Sequence, residues 1–201
     1  MKHFLPLILS LFYLELALAA DDSDDIYDWE NLTNYSELRQ EIGWSDNYDA
    51  RCFFSRPLAE MAKAMNEENW EGAIKLGESW LNQCPIDIRA HYYTGIALGE
   101  IGREVESENH FRWSRGLMED LVASGDGKSC ETAYITISVS EEYDALYFFR
   151  LQKQNQSLVR AENASCDLIT AKNDEEKEFS IYFNPEAHFA RLAKLLDKVS
   201  P

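Results

Sequence analysis

Positive charge is scarce in this sequence. Nineteen Lys and Arg stand against 36 Asp and Glu in 201 residues, a formal net charge of −17. With no basic patch to offset the repulsion, the composition argues against binding to nucleic-acid phosphates or to an anionic membrane, and it points to neutral or basic protein partners. The same charge could also serve solubility alone. Long apolar runs are missing after the first twenty residues, so no integral membrane segment is expected beyond them. The four cysteines form no CxxC pair, which argues against a thioredoxin-like centre or a cysteine-rich zinc site. There is no GxxxxGK[ST] phosphate loop, no HExxH and no GxSxG elbow. The strongest sequence signals for nucleotide, zinc-peptidase and α/β-hydrolase chemistry are therefore absent, and neither metal nor cofactor is expected.

What is present begins with MKHFLPLILSLFYLELALAA, where Lys2 precedes an apolar stretch and Ala17 and Ala19 make the small-x-small arrangement that signal peptidase reads. The stretch is shorter than the roughly 20 residues needed to span a bilayer, carries Glu15, and runs into acidic residues. It reads as an export signal cleaved after Ala19, with Ala20 as the alternative, and it places the mature chain in the periplasm or outside the cell. In such a compartment Cys52, Cys84, Cys130 and Cys166 are disulfide candidates with three possible connectivities. The favoured one is Cys52 with Cys84 and Cys130 with Cys166, which would staple each half of the chain.

Four regions follow. Residues 1–19 are the signal. Residues 20–50 form an acidic, partly ordered arm, with ten carboxylates from Asp21 to Ala50 against Arg39 alone, interrupted by Tyr27, Trp29, Leu32, Tyr35, Leu38, Ile42 and Trp44. Such an arm either lies on its own domain or docks on a partner. Residues 51–123 carry helical periodicity: Leu58, Met61, Ala62 and Met65 in one helix; Trp70, Ala73, Ile74, Gly77, Trp80 and Leu81 on one face of a second; Ile88, Tyr92, Gly95, Ile96 and Gly99 in a third; and Phe111, Ser114, Leu117, Met118, Leu121 and Val122 facing inward in a fourth. Four short helices in succession imply antiparallel hairpins.

Residues 124–201 change character. After the loop SGDGKSC, Ala133, Ile135, Ile137 and Val139 alternate with polar residues as in a half-buried strand. Ser138 and Glu141 make a capping box for a helix to about Leu151. Further strands are predicted at Gln156 to Val159, Cys166 to Ala171 and Phe179 to Phe183. Asn184 and Pro185 open a last helix with Phe189, Leu192, Ala193 and Leu196 on one face. The fold class is α+β: helical hairpins, then a small antiparallel or mixed sheet with two helices.

Two resemblances rest on these residues. The segment from Trp70 to Phe111 resembles tetratricopeptide repeat material, with Ala73, Pro85, Gly95 and Phe111 at characteristic positions. Leu98 and Ser107 depart from that pattern, and a third repeat is missing. More widely, SGDGKSCETAYITISVSEEYDALYFF, QSLV, CDLI and FSIYFNPEAHFARLAKLL make Arg56 to Lys198 similar to a bacterial family, domain of unknown function 4919. Ser124 to Gly127, Glu141 to Tyr143, and Tyr182 with Phe183 are the most specific parts. The resemblance implies an exported protein with a helical N-terminal part, and it brings no activity or ligand.

Candidate sites are few. Ser124, Gly125, Asp126, Gly127 and Lys128 could cradle an anion with backbone N–H groups, or simply form a tight turn. Asp126 and Glu142, with Glu131 and Glu141 nearby, could supply an acid/base pair, and His188 a third group, for a small hydrolase with a cleft near the SGDG loop. Solvated or capping carboxylates are the plainer reading. His91 and His110 are expected to hydrogen-bond at a helix surface. The aromatic set Trp70, Trp80, Tyr92, Tyr93, Trp113, Tyr143, Tyr147, Phe148 and Phe149 exceeds what one helix face can bury, so some could line a groove for a peptide or glycan. Asn31, Asn34, Asn155 and Asn163 head sequons that matter only in a eukaryotic source. The leading functional expectation is an exported acidic protein that binds another protein in the envelope or secretory compartment. The hydrolase is its rival.

Overall fold

A computed structural model describes residues 34–53, 56–161 and 165–199. The signal segment, the start of the acidic arm, Asn31 and Asn163 lie outside the described residues. Asn34, Asn69, Asp87 and Ser138 each accept a hydrogen bond from the backbone N–H three residues on, and each thereby fixes where a helix begins. The helices are α1 (Tyr35–Gly43), α2 (Leu58–Asn66), α3 (Trp70–Leu81), α4 (Ile88–Glu100), α5 (Glu104–Ala123), α6 (Val139–Phe148) and α7 (Glu186–Val199), with a single π-helical turn at Asp49–Phe53. The strands are β1 (Tyr134–Ile135), β2 (Gln152–Arg160), β3 (Ser165–Lys172) and β4 (Glu178–Asn184).

Helices α2 to α5 pack each on the next, as the hairpin reading expects. Small residues set the spacing. A Cβ on Gly77 would fall 2.0 Å from Thr94 Oγ1, and one on Gly95 would fall 3.0 Å from the Phe111 ring. The turn between α4 and α5 needs Gly102, whose φ is +78°. Helix α1, drawn from the acidic arm, buries Leu38 and Ile42, and Tyr35 meets Trp113 of α5 edge-on at 5.5 Å.

The sheet runs β1-β4-β3-β2, with β1 parallel to β4 and the other pairs antiparallel, which is the mixed form of the expected fold. One apolar core passes from the helical layer into the sheet, joining Leu38, Leu81, Trp113 and Leu121 to Ile137, Ile169 and Phe183. Both disulfides are present in the favoured pairing. Cys52–Cys84 lies in the main core, and Cys130–Cys166 sits in a small satellite cluster with Ala133.

Two local expectations are corrected. The strand expected from Ala133 to Val139 is only two residues long. The Ile135 carbonyl accepts from Arg39 Nη2 at 3.2 Å, the Ile137 carbonyl accepts from Arg191 Nη2 at 2.8 Å, and Ile137 N donates to Glu141 Oε2 at 2.8 Å. Side chains satisfy the backbone groups that a neighbouring strand would have taken. The apolar face of α7 forms, but its second half is not inward: Leu192, Leu195 and Leu196 are exposed, and the helix is anchored instead by Ala187 and Arg191.

Candidate functional site

The junction between the helical layer and the sheet is held by buried guanidinium groups. Arg39 makes a two-pronged contact to Glu141, Nε to Oε1 at 3.2 Å and Nη2 to Oε2 at 2.9 Å, and also pairs with Asp120. Arg191, 3 % exposed, donates to the Gly43 and Ile137 carbonyls and lies 4.2 Å from the Tyr48 ring centre. Arg56 binds Asp87 through two 2.6 Å bonds and also pairs with Asp144, which lies 2.5 Å from Arg89 Nη2. Asp87 additionally caps α4 and accepts from the Trp80 indole at 2.7 Å. Burial by itself would raise the Asp87 pKa, but Arg56 and these hydrogen bonds outweigh it and hold Asp87 below the usual carboxylate range. Removing one member of such a cluster leaves an uncompensated charge in the core, so these residues read as structural clamps.

Two further buried clusters carry unusual protonation. The Glu142 carboxyl, fully buried, faces Asp167, and the Gln156 amide donates to both at 3.2 and 3.0 Å. Burial, then the adjacent Asp167 charge, pushes Glu142 up to about 9. His91 is fully buried rather than on a helix surface, which corrects the expectation for it. Its Nε2 lies 2.9 Å from the Pro85 carbonyl, its Nδ1 lies 3.0 Å from His110 Nδ1, and its ring stacks on Trp113 at 5.0 Å. A carbonyl can only accept, so His91 Nε2 carries the proton and its Nδ1 accepts from His110. Burial holds both rings neutral, lowering His91 to about 3 and His110 to about 4.

The SGDG loop closes on itself. Asp126 Oδ1 accepts from Lys128 N at 3.0 Å and from Thr132 Oγ1 at 2.6 Å, while Asp126 N and Gly127 N both donate to the Thr132 carbonyl at 2.9 Å. Gly127 has φ +65°, and a Cβ on Gly125 would fall 2.4 Å from the Ala133 carbonyl. Ser124 Oγ donates to the Leu121 carbonyl and accepts from Ile135 N, and Lys128 pairs with Asp126 at 3.2 Å. The N–H groups of Asp126, Gly127 and Lys128 are thus used within the loop. Asp126 is in the exposed loop, Glu142 under the sheet, and His188 on α7. None of the three lines either of the two pockets described next. Among the described residues there is no group of His, Cys, Asp and Glu that could hold a metal ion.

Among the described residues, two concavities matter instead. One, of about 530 Å³, is a mostly apolar groove with Tyr92, Phe111, Met118, Val122 and Phe148 as its lining and Arg115 and Glu119 at its edge. Val122, expected to face inward, is 38 % exposed and lines this groove instead. The other, of about 270 Å³, lies between α1, the end of α5 and β1, and is lined by Ser36, Arg39, Gln40, Trp44, Asp120, Ser124 and Thr136, among others. Tyr92 and Phe148 of the groove belong to the aromatic excess visible in the sequence. Of the second pocket only Ser124 was among the candidate residues, because the lining comes from four distant segments, Ser36 to Trp44, Asp120 to Ser124, Ile135 to Ile137 and Ala187, that share no motif.

The family described as Domain of unknown function (DUF4919) matches residues 31–192. No curated protein and no solved structure matches the chain.

Proposed function

We propose that this chain, which belongs to the DUF4919 family, is an exported binding protein that captures a basic segment of a partner in an oxidising compartment. The observation that carries the reading is the apolar groove on the helical layer, about 530 Å³, in the size range of pockets that take a ligand or side-chain cluster. Its floor of Tyr92, Phe111, Met118 and Phe148 suits an aliphatic or aromatic anchor. The net charge of −17 suits Lys or Arg beside that anchor and would steer it in. The two paired disulfides support an oxidising compartment, and no helix among the described residues is long and apolar enough to cross a membrane. In the envelope or secretory space such a protein would act as an accessory factor.

The test is fluorescence anisotropy with labelled Lys/Arg-rich peptides carrying one Leu or Phe. Saturable binding that weakens with salt, and that falls at least about tenfold in Val122→Asn and in Met118→Asn, supports the reading. The reading fails if the basic peptides bind both variants as well as the parent, since contact is then electrostatic and outside the groove. It fails equally if an acidic peptide with the same anchor binds better. Repeating the titration on a chain lacking residues 20–33 shows whether the arm competes for the groove, with tighter binding after deletion meaning that it does. The deletion must stop before Asn34, because α1 belongs to the core.

A further inference from the structure

From the second concavity we infer a separate binding site for a neutral polyhydroxy ligand, a single sugar ring or the end of a glycan, between Trp44, Gln40, Asp120 and Thr136. The cavity of about 270 Å³ is just below the usual range for drug-sized ligands and suits one ring rather than a chain. Thr136 is fully buried, lines this cavity, and its Oγ1 has no hydrogen-bond partner among the described residues. A buried hydroxyl without a partner costs about 1–3 kcal/mol, so a group that satisfies it there gains that interaction.

The charges decide the class. Arg39 lies in the wall, but Glu141 and Asp120 already bracket its guanidinium and the Ile135 carbonyl takes a further N–H. Two carboxylates around one cation leave the site without the positive field an anion needs. A metal ion would find only two carboxylates here, Glu141 and Asp120, and both are already paired with Arg39, which sets a positive charge beside the ion. A wholly apolar ligand would leave Thr136 Oγ1 unmatched. What remains is a neutral molecule with hydroxyl donors for Asp120, a hydroxyl for Thr136 Oγ1, and an apolar face. Trp44, 43 % exposed and bordering the cavity, offers a flat ring for that face. Ser36 and Gln40 add hydrogen-bonding groups at the mouth.

The site is separate from the groove and stands if the peptide-binding reading falls. The test is a nitrogen-15 amide and indole titration of the full mature chain with millimolar glucose, galactose and N-acetylglucosamine, and, in parallel, with inorganic phosphate and putrescine. Saturable shifts confined to Trp44, Gln40, Ser124 and Thr136 with at least one sugar are expected, with neither phosphate nor putrescine acting there. Trp44→Ala should weaken that sugar about tenfold, and Thr136→Val, close in shape and lacking only the hydroxyl, about fivefold. Both variants keep Arg39 and Asp120 in place, and their amide spectra report whether the fold survives. The inference is overturned if no sugar moves these resonances in the folded protein, if phosphate or putrescine moves them instead, or if both folded variants bind the sugar like the parent.

Discussion

At the scale of single residues, the most consequential fact is that Glu142 is buried beside a second carboxyl group with one oxygen unmatched. Its Oε2 and Asp167 share the Gln156 amide, while Oε1 has no partner among the described residues. The fold therefore holds the proton on Glu142, at about 9 against 4.5 for an exposed glutamate. A raised folded-state pKa contributes stability that is full below the unfolded value and is lost as pH rises toward the folded one. The histidine pair acts at the other end. Its lowered values, about 3 and 4 against 6.5, give stability that is present above 6.5 and is lost as pH falls toward them. Stability of the parent protein should thus decline on both sides of mildly acidic pH. Glu142→Gln removes the alkaline limb alone. It should match the parent within about 1 kcal/mol at pH 5 and exceed it by about 5 kcal/mol at pH 8, since the loss grows by roughly 1.4 kcal/mol for each pH unit above the unfolded value. Urea midpoints at the two values check this. An equal offset at both would mean that Glu142 is not protonated in the fold. Sequence spacing showed Glu142 as one carboxylate among several near a loop. Its burial, and hence its protonation, depends on β3 packing over α6, which no local pattern encodes.

At the scale of elements, β1 shows where an alternating pattern misleads. Ala133 and Ile137 are buried as the alternation expects, but Ile135 between them is exposed and Thr136 is buried, and the strand ends at Ile135. Arg39, Arg191 and Glu141, from three other elements, take the Ile135 carbonyl and the backbone groups of Ile137. Helix α7 shows the reverse case: its apolar face was legible, whereas the guanidinium of Arg191 that anchors it was not, because an arginine in an amphipathic helix looks like solvent-facing charge. That arginine offers a direct check. Arg191→Met keeps most of the stem volume but leaves the Gly43 and Ile137 carbonyls without their donor. At about 1–3 kcal/mol for each unsatisfied buried group, the loss should be about 2–6 kcal/mol for the two carbonyls. It should appear as a lower urea midpoint at unchanged slope. A variant within 0.5 kcal/mol of the parent, roughly a typical surface substitution, would remove Arg191 from the list of structural clamps.

At the scale of the whole molecule, the order of elements and the fold class were legible because helical and alternating periodicities occupy different halves of the chain. How the halves meet was not, since long-range packing joins Trp113 and Leu117 of the helical layer to Ile169 and Phe183 of the sheet in one core. The disulfides make that unity testable. Cys52–Cys84 closes a separation of 32 residues inside the main core, and Cys130–Cys166 closes one of 36 between the SGDG loop and β3. Loop-closure entropy gives each about 3–4 kcal/mol of stabilisation. If the halves were independent domains, replacing Cys130 and Cys166 by Ala would lower the unfolding of the second half and leave the first untouched. With one shared core, the loss should appear in a single cooperative transition that shifts as a whole, by a similar amount for either double replacement. Calorimetry of the parent and the two double variants, with tryptophan fluorescence following the helical layer and far-ultraviolet circular dichroism following the whole chain, separates these outcomes. Coincident curves in all three proteins establish the single core. A second, unshifted transition in the variant lacking Cys130–Cys166 would divide the molecule near residue 124, and the buried Arg39–Glu141 pair would then belong to an interface between domains.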